Sequence, residues 1–313
     1  MKKLALISAV AIGLGLGSIS TAASAKDLVI GASMSKFADK WLTYLIDGIN
    51  QFDKEHDDVK VVMTDANDDP ARMVNQVENF IDQGVDAVII HPTDRQTVRP
   101  IARKLKRAGI PLVVVNRRPN DDDMETVSAY VGSDEIKGGQ MQGQAVVDLL
   151  KGKEGRVGIL MGLLGLEGQI NRTAGNKEVF SKHDNIKVLA EQEGKWDRAK
   201  GLEITEDWLQ GKKNLNVIVS NNDEMAIGAV LATRKAGFKD EDFIIVGLDG
   251  TPDALDYLGK GLDITVFQDG ITQGYDGAKA AYNLAKGEKI ERVQWVPFKL
   301  ITPANKQEFM PKK

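Results

Sequence analysis

The sequence predicts an α/β protein made of two doubly wound, Rossmann-like lobes. Short β-branched runs alternate with amphipathic stretches along most of the chain, and the alternation occurs in two successive series of similar length. Such alternation is typical of a parallel sheet covered by helices on both faces. The length of 313 residues is too great for one small core and agrees with about two domains.

Each series supplies its own strands and helices. The first predicts strands at 28–33, 59–63, 87–90 and 111–115 and helices at 41–56, 71–83 and 98–107. The second predicts strands at 156–160, 186–189, 217–219 and 243–246 and helices near 175–180, 198–209 and 223–236. Because ligands of such sheets bind beyond the carboxyl ends of the strands, we expect a cleft where the two sets of strand ends face each other.

The amino-terminal segment has the pattern of a secretion signal. Met1-Lys2-Lys3 is positively charged, residues 4–17 are apolar or small, and Ala23-Ser24-Ala25 has the small-x-small form that signal peptidase requires. These features predict a signal peptide over residues 1–25 with cleavage after Ala25. The sequence contains no cysteine, so we expect neither a lipid anchor nor disulfides. Together these observations predict a soluble protein of the periplasm.

Composition and missing motifs exclude several classes of function. The net charge of −4 argues against nucleic acid, whose binding requires concentrated Lys and Arg. The mature part lacks a dinucleotide fingerprint, a phosphate-binding loop and a hydrolase elbow. His56, His91 and His183 stand at unrelated positions, and no spacing matches a zinc or EF-hand calcium site. We therefore predict no catalytic residue, no metal and no cofactor.

Three strings at predicted strand ends carry a family resemblance. They are 87–94 (AVIIHPTD), 222–228 (NDEMAIG) and 246–253 (VGLDGTPD). From about Leu28 to Ile301 the chain resembles the periplasmic sugar-binding proteins of ABC importers, in the branch that contains the ribose and glucose/galactose receptors. The resemblance implies two lobes joined by a hinge of three crossing strands. It places the N-terminal lobe at 26–132 plus 269–298 and the C-terminal lobe at 133–268 plus 299–313.

The resemblance also implies a set of nine ligand-binding residues. They are Asp39, Trp41, Asn116, Arg117, Arg172, Trp196, Asn222, Asp249 and Gln268. The set suits a sugar ring, whose flat C–H faces stack on aromatic plates and whose hydroxyls both donate and accept hydrogen bonds. Carboxylates accept, guanidinium groups donate in planar forks, and side-chain amides do both. The arginine at 172 is expected to fork onto ring and hydroxyl oxygens.

Structural alternatives accompany several of these residues. Asn and Asp after a strand often cap the next helix, and for Asp223 the sequence favours that role. Tryptophan is also expected in the core, at Trp208 and Trp295. Arg118 and Lys195 are expected to add positive charge near the cleft.

The resemblance names a ligand class and partners. Residues 116–119 (NRRP) and 170–173 (INRT) look like those of inositol and rhizopine receptors, so myo-inositol is the leading predicted ligand, with a ribose- or galactose-type aldose as the alternative. The implied partner is the membrane permease of an ABC transporter. A chemoreceptor that recognises the closed form of the protein is a further possible partner. We expect the protein to be a monomer. A sugar-responsive repressor would need an N-terminal helix-turn-helix where the secretion signal stands. A sugar-processing enzyme would need two carboxylates at a fixed short separation.

Overall fold

The computed structural model describes residues 27–310, so the predicted signal peptide and its cleavage site lie outside the described residues. The strands are β1 (Leu28–Met34), β2 (Val59–Asp65), β3 (Ala87–His91), β4 (Leu112–Val115), β5 (Ala129–Gly132), β6 (Gly155–Met161), β7 (Ile186–Glu193), β8 (Val217–Ser220), β9 (Ile244–Asp249), β10 (Ile264–Phe267), β11 (Val293–Trp295) and β12 (Lys299–Ile301). The helices are α1 (Lys40–Glu55), α2 (Pro70–Gln83), α3 (Val98–Ala108), α4 (Glu135–Leu150), α5 (Glu167–Phe180), α6 (Arg198–Gln210), α7 (Asp223–Lys235), α8 (Pro252–Tyr257) and α9 (Gly270–Ala285).

The strands form two six-stranded sheets. The first has the order β11-β5-β4-β3-β1-β2 and is parallel throughout. The second has the order β12-β10-β9-β8-β6-β7 and is parallel except for the edge strand β12, which runs antiparallel to β10. Helices pack against both sheets, with α9 on β3 and β4 and α4 on β9 and β10. The predicted α/β fold with two doubly wound lobes is confirmed.

The chain passes between the two sheets three times. The first crossing follows β5 at 132–135, the second follows β10 at 267–270, and the third joins β11 to β12 at 295–299. Because the sheets have no other covalent connection within residues 27–310, these three segments are where one lobe can turn relative to the other. The residue boundaries given to the lobes from the resemblance stay a prediction.

Three helices, α4, α8 and α9, were not predicted from the sequence, and two of them, α4 and α9, are rich in glycine. Helix α4 contains Gly139, where an added Cβ would lie 2.2 Å from the carbonyl oxygen of Arg172 in α5. Helix α9 contains Gly274, where a Cβ would lie 1.9 Å from the carbonyl oxygen of Leu45 in α1. Glycine lowers helix propensity by about 1 kcal/mol per residue, which hides the helix from a propensity argument. Here the close packing of paired helices requires it.

The two tryptophans predicted in the core differ in their outcome. Trp208 is 4% exposed and packs in the core of the second sheet, as predicted. Trp295 is 51% exposed, so its prediction as a core residue is wrong. It ends β11, the edge strand of the first sheet, and its ring meets that of Tyr130 edge to face with 5.7 Å between centroids. An edge strand has a neighbour on one side only, which leaves this indole half in solvent.

Candidate functional site

A polar cavity lies between the two sheets at the carboxyl ends of their strands. Its volume is about 520 Å³, which includes the part of the mouth that is open to solvent. All nine residues of the predicted ligand set line it. Five further lining residues were not part of that set: Leu42, His91, Glu135, Leu166 and Gly168.

The strands deliver these side chains to one place. Asn116 directly follows β4, Asp249 is the last residue of β9, and Gln268 directly follows β10. Since parallel strands end at the same edge of a sheet, residues that are far apart in sequence meet there. Glycine also makes room in one position, because a Cβ on Gly162, just after β6, would lie 2.0 Å from the Trp196 ring.

The wall supplied by the second sheet contains a buried ion-pair network. Arg172 donates to both carboxylate oxygens of Glu135, at 2.5 and 3.0 Å, and these residues are 5% and 2% exposed. Arg172 also donates to the carbonyl oxygen of Asn221 at 2.6 Å and to Gln268 Oε1 at 3.1 Å. Gln268 Nε2 completes the network by donating to Glu135 Oε1 at 2.8 Å. The guanidinium fork expected to face a ligand is therefore occupied by Glu135, and one N–H on Nη1 is left over.

Asp249 belongs to the same wall and has a strained backbone conformation. Its backbone φ is 138°, a region that L residues rarely adopt, and its side chain is 4% exposed. The nearest cation is Arg172, whose Nη1 lies 3.8 Å from Oδ1. Burial raises the pKa of the Asp249 carboxyl well above its ordinary value, with a further contribution from Asp223, while Arg172 opposes the rise. Strain and a perturbed carboxyl at one residue are typical of a functional site.

The wall supplied by the first sheet is more exposed and is tied mainly to backbone groups. Asp39 caps α1 by accepting from the backbone N–H of Leu42 at 3.0 Å. Arg117 donates to the carbonyl oxygens of Pro92 at 2.8 Å and Thr93 at 3.3 Å. Burial under this loop lowers the pKa of the Arg117 guanidinium, while nearby carboxylates such as Asp39 raise it.

The indole of Trp41 joins this wall to the second crossing. Its Nε1–H donates to the carbonyl oxygen of Gln268 at 3.2 Å. The other tryptophan of the cavity belongs to the opposite wall, where the guanidinium carbon of Arg172 lies 5.5 Å from the centre of the Trp196 ring. The cavity therefore has one aromatic plate from each sheet.

The helix cap that the sequence assigned to Asp223 is made by its neighbour. Asn222 Oδ1 accepts from the backbone N–H of Met225 at 3.1 Å, and its amide donates to the carbonyl oxygen of Trp196. Asp223 instead accepts from the Thr265 hydroxyl at 2.6 Å and from the Thr251 backbone N–H at 2.9 Å. Burial raises its pKa to about 6. The predicted capping role of Asp223 is wrong, because its buried carboxylate joins the N-terminus of α8 to strand β10.

Glu135 and His91 were missed as cavity residues, and both obey the strand-end rule that identified the others. His91 is the last residue of β3, and Glu135 follows β5 by three residues. Neither Arg118 nor Lys195 lines the cavity, although each adjoins a lining residue, Arg117 or Trp196. Arg118 pairs with Asp121 at 2.5 Å, and Lys195 lies 4.0 Å from Glu193. That they add positive charge near the cleft stays a prediction.

Two facing sheets with a polar, aromatic-flanked cavity at their strand ends define a ligand-capturing protein of two lobes. A family model described as a periplasmic binding protein domain matches residues 30–289. The chain belongs to this family, whose members are substrate-binding proteins of the periplasm. The predicted family is confirmed, and so is the prediction that the protein is not an enzyme.

Individual relatives and solved structures agree with the family. The chain is 39% identical to a Rhizobium meliloti protein named "Putative rhizopine-binding protein", over 94% of this chain and 96% of that one. It is 32% identical to the ribose import binding protein RbsB of Bacillus subtilis, over 90% of both chains. It superposes with a TM-score of 0.87 and 38% identity on an ABC transporter solute binding protein of Bacillus halodurans crystallised with bound myo-inositol, covering 92% and 98% of the two chains.

Two structural features of residues 27–310 bear on other classes of site. None of the helices in that range is long and apolar enough to cross a membrane. Within the same range, His, Asp and Glu side chains form no group of three that could hold a metal ion.

Proposed function

We propose that this protein captures a polyhydroxylated six-membered ring, with myo-inositol as the leading ligand, and delivers it to the permease of an ABC transporter. The observation that carries the proposal is the cavity with one tryptophan from each sheet, rimmed by charged and amide side chains. The similarity to a solute binding protein with bound myo-inositol supports the same ligand.

The two tryptophans of the cavity are assigned to the flat faces of the ligand ring. We assign Trp41 and Trp196 to stack on opposite C–H faces, since each belongs to a different wall. Burying a carbohydrate face on an indole removes apolar surface from water without leaving a hydroxyl unpaired.

Hydrogen-bonding groups that the protein does not use internally are assigned to the hydroxyls of the ligand. One N–H of Arg172 Nη1 is left by its protein partners, and the second carboxylate oxygen of Asp39 is not used in its helix cap. Asp249 supplies a buried acceptor beside that guanidinium. Hydrogen bonds to charged groups contribute about 1.5–3 kcal/mol each, so a few of them give useful affinity for a small polar ring.

Capture requires the lobes to move. A ring enclosed by residues of both sheets cannot enter unless the lobes first separate at the three crossings. The structure already carries an ion pair between the lobes, from Lys40 in α1 to Asp253 in α8 at 3.5 Å. We therefore infer that the described arrangement is near the closed state.

A thermal-shift screen followed by titration calorimetry tests the ligand. We expect myo-inositol to raise the unfolding midpoint and to bind one molecule per chain, because a ligand that binds only the folded state stabilises it. D-Ribose serves as the second candidate, since a ribose import binding protein is 32% identical to this chain. Stronger binding of D-ribose or D-galactose than of myo-inositol would overturn the ligand, and binding of none of the three at millimolar concentration would count against capture of such rings.

Export is a separate part of the proposal. We propose that the exported chain begins at Lys26, is soluble in the periplasm, carries no lipid and acts as a monomer. The small-x-small string 23–25 supports the cleavage site, and the absence of cysteine supports the missing lipid. Intact-mass measurement of periplasmic protein should give the mass of residues 26–313. A retained Met1 or an added lipid would contradict it.

A further inference from the structure

A continuous chain of side-chain hydrogen bonds runs from the ligand cavity to the hinge. Its five bonds are 2.8, 3.2, 3.1, 2.9 and 2.8 Å long and join, in order, Ser35, His91, Asn116, Gln273, Ser133 and the carbonyl oxygen of Val296. We refer to these six residues as the hinge relay. Two of its members, His91 and Asn116, line the cavity.

The relay reaches all three crossings between the lobes. Ser133 lies in the first crossing and Val296 in the third. Gln273 lies in the first turn of α9, immediately after the second crossing, and its backbone N–H bonds to the carbonyl oxygen of Asp269 at 3.1 Å. One buried glutamine therefore connects a cavity amide to every segment on which the lobes turn.

The direction of every bond in the relay follows from its last acceptor. A backbone carbonyl can only accept, so the single hydroxyl hydrogen of Ser133 goes to Val296. Ser133 must then accept from Gln273 Nε2, which turns Gln273 Oε1 toward Asn116. A wrong orientation at any position would leave a buried polar group unpaired at a cost of about 1–3 kcal/mol.

The side-chain orientations at the cavity end of the relay are fixed in the same way. Asn116 presents its amide N–H to Gln273, so its oxygen faces His91 and accepts from Nε2–H. Nδ1 of His91 then accepts from the Ser35 hydroxyl. Burial and the charge of Arg117 lower the pKa of His91 well below its ordinary value, in agreement with a neutral ring. The backbone of Asn116 is fixed as well, at a left-handed φ of 59°, by the Tyr130 hydroxyl on its carbonyl oxygen at 2.8 Å.

We propose that Gln273 is a positioning residue that sets the orientation of the Asn116 amide in the cavity and, through Ser133, couples it to the hinge. Turning of the lobes changes the torsions at the crossings, and the Ser133–Val296 hydrogen bond links two of these crossings. The amide that meets the ligand and the hinge then adopt their closed geometry together. The relay thereby makes ligand contact at Asn116 favour closure.

The test compares two fully buried glutamines. Gln273→Met removes both side-chain bonds of the relay, while Gln142→Met removes three bonds that join β8, β9 and α5 within one lobe. Both changes are expected to lower the unfolding midpoint. Only Gln273→Met is expected to weaken myo-inositol binding, by about 2- to 30-fold, the range found for changes that modulate coupling without touching ligand.

A distance measurement supplies a readout that needs no ligand. Because the chain has no cysteine, Arg72→Cys and Lys200→Cys give unique sites for a pair of spin labels. Both are exposed, and they follow β2 and β7, the strands farthest from the crossings in each sheet, where opening moves the lobes most. In the ligand-free protein we expect Gln273→Met and Ser133→Ala each to broaden the interlobe distance distribution.

A double variant shows whether Gln273 and Ser133 act through one relay or independently. The Gln273→Met/Ser133→Ala double variant should be no broader than either single variant, and Gln142→Met should match the parent. A parental distribution in Gln273→Met, or single effects that add in the double variant, would overturn the proposal. If the parent binds no myo-inositol, the ligand-free distances still decide the relay, and the missing binding counts against the proposed function alone.

Discussion

The two walls of the cavity are built differently. The wall from the second sheet places Glu135, Arg172 and Asp249 at 2–5% exposure, and its charges pair with each other. The wall from the first sheet is only partly buried at Asp39, Trp41 and Arg117, and Asp39 and Arg117 are held by backbone groups. A buried, mutually paired wall keeps one geometry whether or not ligand is present. The difference indicates that the second wall is preorganised and that the first wall closes onto it.

Arg172→Ala should have the largest effect, because it removes a ligand donor and leaves Glu135 as a buried charge without its partner. Breaking such a pair typically costs about 3–5 kcal/mol of folding stability. Affinity for the ligand should fall by roughly 30- to 1000-fold, the equivalent of about 2–4 kcal/mol. Urea unfolding and titration calorimetry give the two quantities.

Arg117→Ala is the matched change on the other wall. Its guanidinium bonds are to carbonyl oxygens, so the stability loss should be only about 1–2 kcal/mol. Equal stability losses for the two arginine variants would mean that the walls do not differ in preorganisation.

Asp249→Asn should separate binding from stability. The carboxylate is buried, its ionisation is opposed by burial, and its backbone sits at a φ of 138°. Removing the charge should therefore leave the unfolding midpoint unchanged or raise it, while ligand affinity falls by about tenfold or more. A variant that unfolds more easily and binds normally would show that Asp249 is structural.

Glu167→Gln should change the pH dependence of stability. Burial and the charge of Glu135 raise the pKa of Glu167 to about 8, from an ordinary value near 4.5. Between these values the folded chain holds a proton that the unfolded chain has lost, so stability falls as pH rises toward 8. His91, whose pKa is lowered, acts in the opposite sense, but only below about pH 6.5.

From pH 6.5 to 8 the difference between the parent and Glu167→Gln reports on this glutamate, because other buried carboxyls with raised pKa values, such as Asp249, contribute equally to both proteins. The parent should lose stability across it, by a few kcal/mol at most, and Glu167→Gln should lose less. Thermal unfolding at several pH values measures this. Identical slopes for the parent and the variant would mean that Glu167 is not held protonated on the second wall.

Trp208→Phe should have the smallest effect on binding. The indole is 4% exposed in the core of the second sheet and does not line the cavity. The substitution should cost about 1–3 kcal/mol of stability through the space it leaves, with affinity unchanged. A folded variant that has lost binding would show that the second wall is not rigidly separated from its core.

Sequence patterns predicted the sheets better than the contacts at their ends. The nine proposed residues were selected from strand ends, three family strings and residue chemistry. All nine line the cavity, because the carboxyl ends of parallel strands lie at one edge of the sheet. The hydrogen-bond partners of these side chains could not be predicted. Nothing in the sequence indicates that Arg172 bonds to Glu135, 37 residues away, or that Gln273 bonds to Asn116, 157 residues away. Such bonds depend on how the crossings set the two sheets against each other.

Small-angle scattering of the mature protein with and without saturating myo-inositol tests most directly whether the first wall closes onto the second. We expect a more open ligand-free protein and a smaller radius of gyration on binding, with a scattering curve for the liganded protein that matches the described structure. A radius that stays the same while calorimetry reports full occupancy would contradict closure of the two lobes around the ligand.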